Sequence, residues 1–121
     1  MSSEQTYKGG CHCGKVSYEV KADLENARII SCNCSICSKK GHLLAFVPAE
    51  QFRLLSGEGE LTDYQFKTKN IHHLFCPVCG ISSFGRGTGR DGKSMTSINV
   101  RCLEGVEIDK LKVTPFDGRS M

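Results

Sequence analysis

A chain of 121 residues with 39% hydrophobic side chains, 7% aromatics and no tryptophan has material for one modest core, and its eight cysteines point to crosslinks that supplement it. The formal charge of +3 comes without a run of five basic residues or basic side chains interleaved with aromatic ones, so no nucleic-acid partner is expected. No apolar run approaches the roughly 20 residues of a membrane-spanning helix, so no membrane partner is expected either.

The first residues, Met1-Ser-Ser-Glu-Gln-Thr-Tyr-Lys8, lack the apolar stretch of a secretory signal. The expectation is a cytoplasmic, reducing location in which thiols stay thiols. Short β-like runs bounded by Gly, Asn, Asp or Pro then follow. They are Lys15–Val20, where Val16, Tyr18 and Val20 alternate, Arg28–Ser31, His42–Val47, Gln51–Leu55 and Leu61–Phe66. Pro48-Ala-Glu-Gln51 is read as a loop between two of them, although Pro suits the first position of a helical turn. Later runs are Ile71–Phe75, Ile81–Phe84, Met95–Val100 and Leu111–Val113, with Gly57-Glu-Gly59 and Gly85-Arg-Gly-Thr-Gly-Arg-Asp-Gly92 read as turn and loop. No helix is predicted. Short strands at irregular spacing imply antiparallel hairpins, hence an all-β, mainly antiparallel fold in a single small domain over residues 1–121.

The cysteines fall into three groups: Cys11-His-Cys13-Gly, Cys32-Asn-Cys34-Ser-Ile-Cys37 and Cys76-Pro-Val-Cys79-Gly, with Cys102 alone. In a reducing compartment such spacings read as zinc ligands before they read as disulfides. Pro77 presets a turn and Gly80 tolerates positive φ, so Cys76 and Cys79 can converge on one ion. Cys11 and Cys13 could not do so in a regular strand, where side chains at i and i+2 stand about 7 Å apart. Gly9, Gly10 and Gly14 permit the necessary bend. Two such half-sites make one closed structural zinc site of Cys11, Cys13, Cys76 and Cys79. Cys32, Cys34 and Cys37 supply three thiolates to a second zinc, which leaves one tetrahedral position for chemistry unless Cys102 or a histidine fills it. Two zinc ions and the seven clustered thiolates would cancel the formal +3.

The chain resembles the glutathione-dependent formaldehyde-activating enzyme family, which also contains centromere protein V. The resemblance rests on Gly10-Cys-His-Cys-Gly-Lys-Val-Ser-Tyr18, on Cys32-Asn-Cys-Ser-Ile-Cys37 followed by Gly41, on Phe75-Cys-Pro-Val-Cys-Gly80 and on Asn99-Val-Arg-Cys-Leu-Glu-Gly105, in that order across about residues 7–118. It implies a β-tent fold with a structural zinc on Cys11, Cys13, Cys76 and Cys79 and a second zinc on Cys32, Cys34 and Cys37. The activity it implies is that of a carbon–sulfur lyase: reversible condensation of glutathione with formaldehyde to an S-hydroxymethyl adduct.

Around the second site, Lys39, Lys40, His42 and Arg86 are the candidate substrate contacts; Arg90 and Arg101 share with Arg86 the planar geometry that suits a glutathione carboxylate. His12, His72 and His73 receive no role, and no general acid or base is assigned. Cys102 is read as a small apolar residue at a strand end. Phe46 or Phe84 could wall a pocket through which a small aldehyde reaches the metal. The expected reaction is attack of a metal-held glutathione-like thiolate on formaldehyde or another small aldehyde. The alternative is a non-catalytic, zinc-stapled module that binds a protein partner or glutathione.

Overall fold

The computed structural model describes residues 5–24, 29–33, 35–59, 61–65, 71–88 and 92–117. Along the chain run β1 (Gln5–Gly10), β2 (Ser17–Ala22), β3 (Ile29–Cys32), a one-turn helix α1 (Cys37–Lys40), β4 (Leu44–Pro48), β5 (Phe52–Ser56), β6 (Thr62–Tyr64), β7 (Ile71–Phe75), β8 (Phe84–Thr88), β9 (Ser94–Asn99) and β10 (Val113–Phe116). A three-stranded sheet has the order β1-β2-β5, and a seven-stranded sheet the order β10-β3-β4-β9-β8-β7-β6. Every pairing is antiparallel except β10 with β3, where Val113 lies opposite Ile29 and Phe116 opposite Cys32. The fold is all-β, as the alternating runs predict.

Period-two alternation explains how the sheets close on each other. Val16, Tyr18, Val20 and Ala22 on and just before β2 are buried, as are Leu43, Ala45 and Val47 on and just before β4 and Thr96, Ile98 and Val100 on and just after β9. Tyr18 belongs to the small sheet and Phe84 to the large one, and both rings meet Phe52, at centroid distances of 5.0 Å and 4.6 Å. The Tyr18 hydroxyl donates to the Ser83 carbonyl at 3.2 Å, which keeps this buried oxygen satisfied. The complementary positions of the large sheet, Ile30, Leu44, Phe46, Ser97 and Asn99, face the other way and floor a cavity.

Five expectations are corrected. β1 was not foreseen, and β8 runs through Gly85 and Gly87 where a loop was expected. In both, glycine serves close approach: a Cβ on Gly9 would lie 2.7 Å from Tyr18 Cζ, and one on Gly85 2.8 Å from Ser97 Oγ. Pro48 precedes a 3₁₀ turn at Ala49–Gln51 and not a plain loop. A helix does occur, α1, too short for any periodicity to announce it. Cys102 lies in a 3₁₀ turn, Val100–Cys102, and not at a strand end. Arg28, Phe66 and Arg90 lie outside the described residues, and so does Cys34.

Candidate functional site

The turn after β1 and the turn after β7 bring four sulfurs together. After Gly10 the chain leaves β1 and turns through residues 11–16, held by the Cys11 N–H donating to the Val16 carbonyl at 3.0 Å and the Val16 N–H donating to Cys11 Sγ at 3.3 Å. The other turn closes with the Gly80 N–H donating to the Cys76 carbonyl at 2.8 Å, Gly80 having φ +78°. As a result the Sγ atoms of Cys11, Cys13, Cys76 and Cys79 all lie within 4.8 Å of one another, and Cys13 is 3.6 Å from both Cys11 and Cys76. Tetrahedral thiolate ligation with metal–sulfur bonds of ~2.3 Å spaces sulfurs ~3.8 Å apart, so this cluster can hold a metal ion.

The electrostatics agree. Backbone N–H groups, that of Ile81 foremost, pull the Cys79 thiol down to about 6, and the N–H groups of Cys79 and Val78 lower Cys76. Cys13 has the Lys15 N–H to favour its thiolate, yet desolvation and hydrogen bonds with Cys76, Cys11 and Cys79 push it up to about 11. Four crowded sulfurs do not all ionise unaided; a divalent cation removes that conflict.

The second cysteine group has different surroundings. Cys32 ends β3, and the chain beyond it is tied to the C-terminal strand by the Asn33 N–H donating to the Phe116 carbonyl at 3.1 Å. Cys37 opens α1, whose single turn ends at Gly41 with φ +67°. That left-handed residue turns the chain back, and His42 Nε2 comes to 3.1 Å from Cys37 Sγ. Cys32 and Cys37 both border the cavity of about 270 Å³ outside the large sheet. Cys34 lies outside the described residues.

Lys40 and His42 border that cavity too, with His73, Ser82 and Asn99. Lys40 Nζ donates to Ser82 Oγ at 3.0 Å, and Asn99 Nδ2 donates to the Ser82 carbonyl at 3.1 Å. Burial lowers the Lys40 ammonium's pKa, opposed by Cys37. Burial, then Lys40, then His73 pull His42 down to about 4, so its ring is neutral at pH 7. No carboxylate is found among the described residues lining this cavity, so a thiolate there faces an ammonium and no competing anion.

The remaining candidates are elsewhere. Lys39 lies on the exposed side of α1 beside Ile36 and Tyr64. Arg86, one residue out of phase with Gly85, turns into a separate groove with Arg53 and His72, 3.7 Å from Glu58. A substrate contact from Arg86 is therefore not made in the cysteine-bordered cavity. Cys102 and His12 border a third groove with Cys11, and burial foremost raises the Cys102 thiol's pKa. Sequence reasoning missed Ser82, an ordinary polar residue between β7 and β8, and Asn99, the last residue of β9, although Asn99 opens one of the motifs quoted above.

The family model for the glutathione-dependent formaldehyde-activating enzyme matches residues 6–115. Among solved structures, the chain is similar to a Rhodobacter sphaeroides protein whose crystal structure was a structural-genomics target. The two share 36% identity over 89% of this chain and 97% of that one, with a TM-score of 0.75. With the match spanning all three cysteine groups and the sheets that carry them, the chain belongs to the glutathione-dependent formaldehyde-activating enzyme family.

Proposed function

We propose that the protein is a zinc-dependent carbon–sulfur lyase that reversibly joins glutathione, or a similar thiol, to formaldehyde or another small aldehyde. Family membership supports the glutathione- and formaldehyde-directed role. The observation that carries the site is the meeting of Cys37, His42 and Lys40 at one cavity, with Cys32 on its wall. In this reading Cys11, Cys13, Cys76 and Cys79 hold a structural zinc, and Cys32, Cys34 and Cys37 hold a second one.

That second ion, when bound, supplies a position at which a thiol loses its proton at neutral pH. The chain's own residues do the rest. His42, neutral and buried, orients the Cys37 sulfur through their 3.1 Å contact. Lys40, held at Ser82, is the donor for the carbonyl oxygen. As the sulfur–carbon bond forms, the carbonyl π pair moves to oxygen, and Lys40 Nζ gives that oxygen a proton, replaced by the one the thiol released. The reverse sequence returns thiol and aldehyde.

Exchange NMR of glutathione, formaldehyde and their adduct tests this against the spontaneous background. The expected result is interconversion faster than in buffer for the zinc-loaded protein and at the buffer rate for Cys37→Ala. Equal rates for both would sink the enzymatic reading. The zinc-stapled binding module then leads, and it too has an observation in its favour: His42 is close enough to Cys37 to complete the second ion's coordination.

A further inference from the structure

The cavity beside Cys37 is far larger than formaldehyde requires. A water molecule, with one heavy atom to formaldehyde's two, occupies roughly 30 Å³ of liquid, and an apolar cavity of roughly 150 Å³ is enough for benzene. The cavity here measures about 270 Å³. Its apolar walls include Ile30, Ile36, Leu44, Phe46 and Phe116, drawn from strands β3, β4 and β10 and from the turn before α1. Ile30, Cys37 and Leu44 form one buried apolar cluster, against which Cys32, Ile36 and Phe116 pack, so the apolar wall runs directly up to the cysteine sulfurs. Phe46 is 48% exposed, a large ring left at the border of the cavity and solvent.

Glutathione does not suit that space. It carries two carboxylates and an ammonium, while the described lining residues include one lysine, Lys40, and no arginine, aspartate or glutamate. Burying unpaired charges against isoleucine and phenylalanine is strongly unfavourable. The apolar volume must therefore serve the other reactant.

We infer that the cavity holds the hydrocarbon or aryl tail of an aldehyde larger than formaldehyde, with the carbonyl carbon beside Cys37 and the charged body of the thiol outside. This rests on the enzymatic reading above and narrows its substrate class. The reaction balances as for formaldehyde: the thiol S–H is lost, a sulfur–carbon bond forms, the C=O becomes C–OH, and no oxidant or reductant is required. The preference comes from apolar burial of the tail, in which even one methylene changes discrimination by roughly tenfold or more.

The test uses the zinc-loaded full chain and compares acceleration over buffer for glutathione with formaldehyde, hexanal and 3-phenylpropanal, and for 2-phenylethanethiol with formaldehyde. The expected result is at least about tenfold greater acceleration for the two larger aldehydes than for formaldehyde, with glutathione as the thiol. Phe46→Ala should cut the hexanal-to-formaldehyde ratio by about tenfold, and Leu44→Trp, which fills the cavity, should cut it further. The unreactive alcohol 3-phenylpropan-1-ol, titrated by NMR, should shift resonances of Leu44 and Phe116 in the wild type and bind the Phe46→Ala protein more weakly, an outcome that does not depend on turnover. Acceleration of formaldehyde alone, or no binding of the alcohol, overturns the inference and leaves the enzymatic reading standing. Greater acceleration for 2-phenylethanethiol than for any glutathione pair overturns it too, by giving the cavity to the thiol. Buffer rates for every pair, formaldehyde included, sink the enzymatic reading itself and the aldehyde assignment with it.

Discussion

Two cysteine groups in one small chain have opposite surroundings. Around Cys11, Cys13, Cys76 and Cys79 the sulfurs face one another, with the Cys13 sulfur 3.6 Å from two of its neighbours, and the turns that carry them leave the two sheets at a common point. Around Cys32 and Cys37 the neighbours are an imidazole, an ammonium and an open apolar cavity. The first arrangement can close on a metal ion and so crosslink distant segments, which would serve stability. The second leaves its sulfurs beside space that a small molecule can enter, which would serve chemistry. Spacing in sequence separates them poorly; what the sulfurs face separates them well.

The sharpest way to break the comparison is to remove one ligand from each group. Cys79→Ala should abolish cooperative folding. Structural zinc contributes roughly 10–16 kcal/mol in small zinc-bound peptides, comparable to the entire stability of ~5–15 kcal/mol of a domain. Expression in inclusion bodies or a flat thermal unfolding trace is the expected outcome. A soluble Cys79→Ala protein with a sharp transition would remove the structural role from that cluster.

Cys37→Ala should behave otherwise: one zinc fewer by metal analysis, adduct exchange at the buffer rate, and a fold that persists because the four-cysteine crosslink remains. Cys37 is buried, so truncation should still cost about 1 kcal/mol in denaturant titrations. Unfolding as severe as that of Cys79→Ala would erase the distinction between the two groups.

Much of this was legible in the sequence. The alternation of Val16, Tyr18 and Val20 gave the β class and the buried face of β2, and the Pro77 and Gly80 turn signals gave the convergence of Cys76 with Cys79. The rest needed tertiary contacts. Gly9 reads as part of the bend at Cys11 and Gly85 as the start of a loop, but each lies in a strand and is required where a side chain from the neighbouring strand leaves no room for Cβ. Helix α1 has too few residues for a pattern. A pocket walled by Phe46 was expected, but the rest of its lining was not legible, because it is assembled from one or two residues of each of several strands, and a register shift of one position would have exchanged Gly85 for Arg86 and His73 for His72 at its wall.

Lys40 sharpens the comparison within the second group alone. Lys40→Met keeps the side chain's length and removes its ammonium, which is half-buried and bonded to Ser82. Exchange should slow by about 10²-fold, a typical contribution from a positioned proton donor, with both zinc ions retained and the unfolding midpoint nearly unchanged. If the rate holds while the lysine charge is gone, the carbonyl oxygen takes its proton from solvent and Lys40 serves only to fasten α1 to the Ser82 segment.

The smallest expected effect is on stability as a function of pH. Burial, followed by Lys40 and His73, depresses the His42 pKa from its usual 6.5 to about 4, so the fold holds this ring neutral while the unfolded chain does not. Between those values the unfolded state binds more protons than the folded one, and stability rises with pH. The contribution is therefore fully present above about pH 6.5, is lost progressively as pH falls toward 4, and changes no further below that. A cation bound at Cys37 would act in the same direction, disfavouring imidazolium. Because the cavity admits water to the ring, the loss should stay below about 1 kcal/mol at pH 5. His42→Gln keeps a polar group beside Cys37 without a titrating one, so denaturant titrations at pH 7.5 and pH 5 should show a smaller difference for the variant than for the wild type. Equal differences would mean that the neutral imidazole at Cys37 is not what acid disturbs first, and that the pH sensitivity lies with the thiolates of the four-cysteine cluster instead.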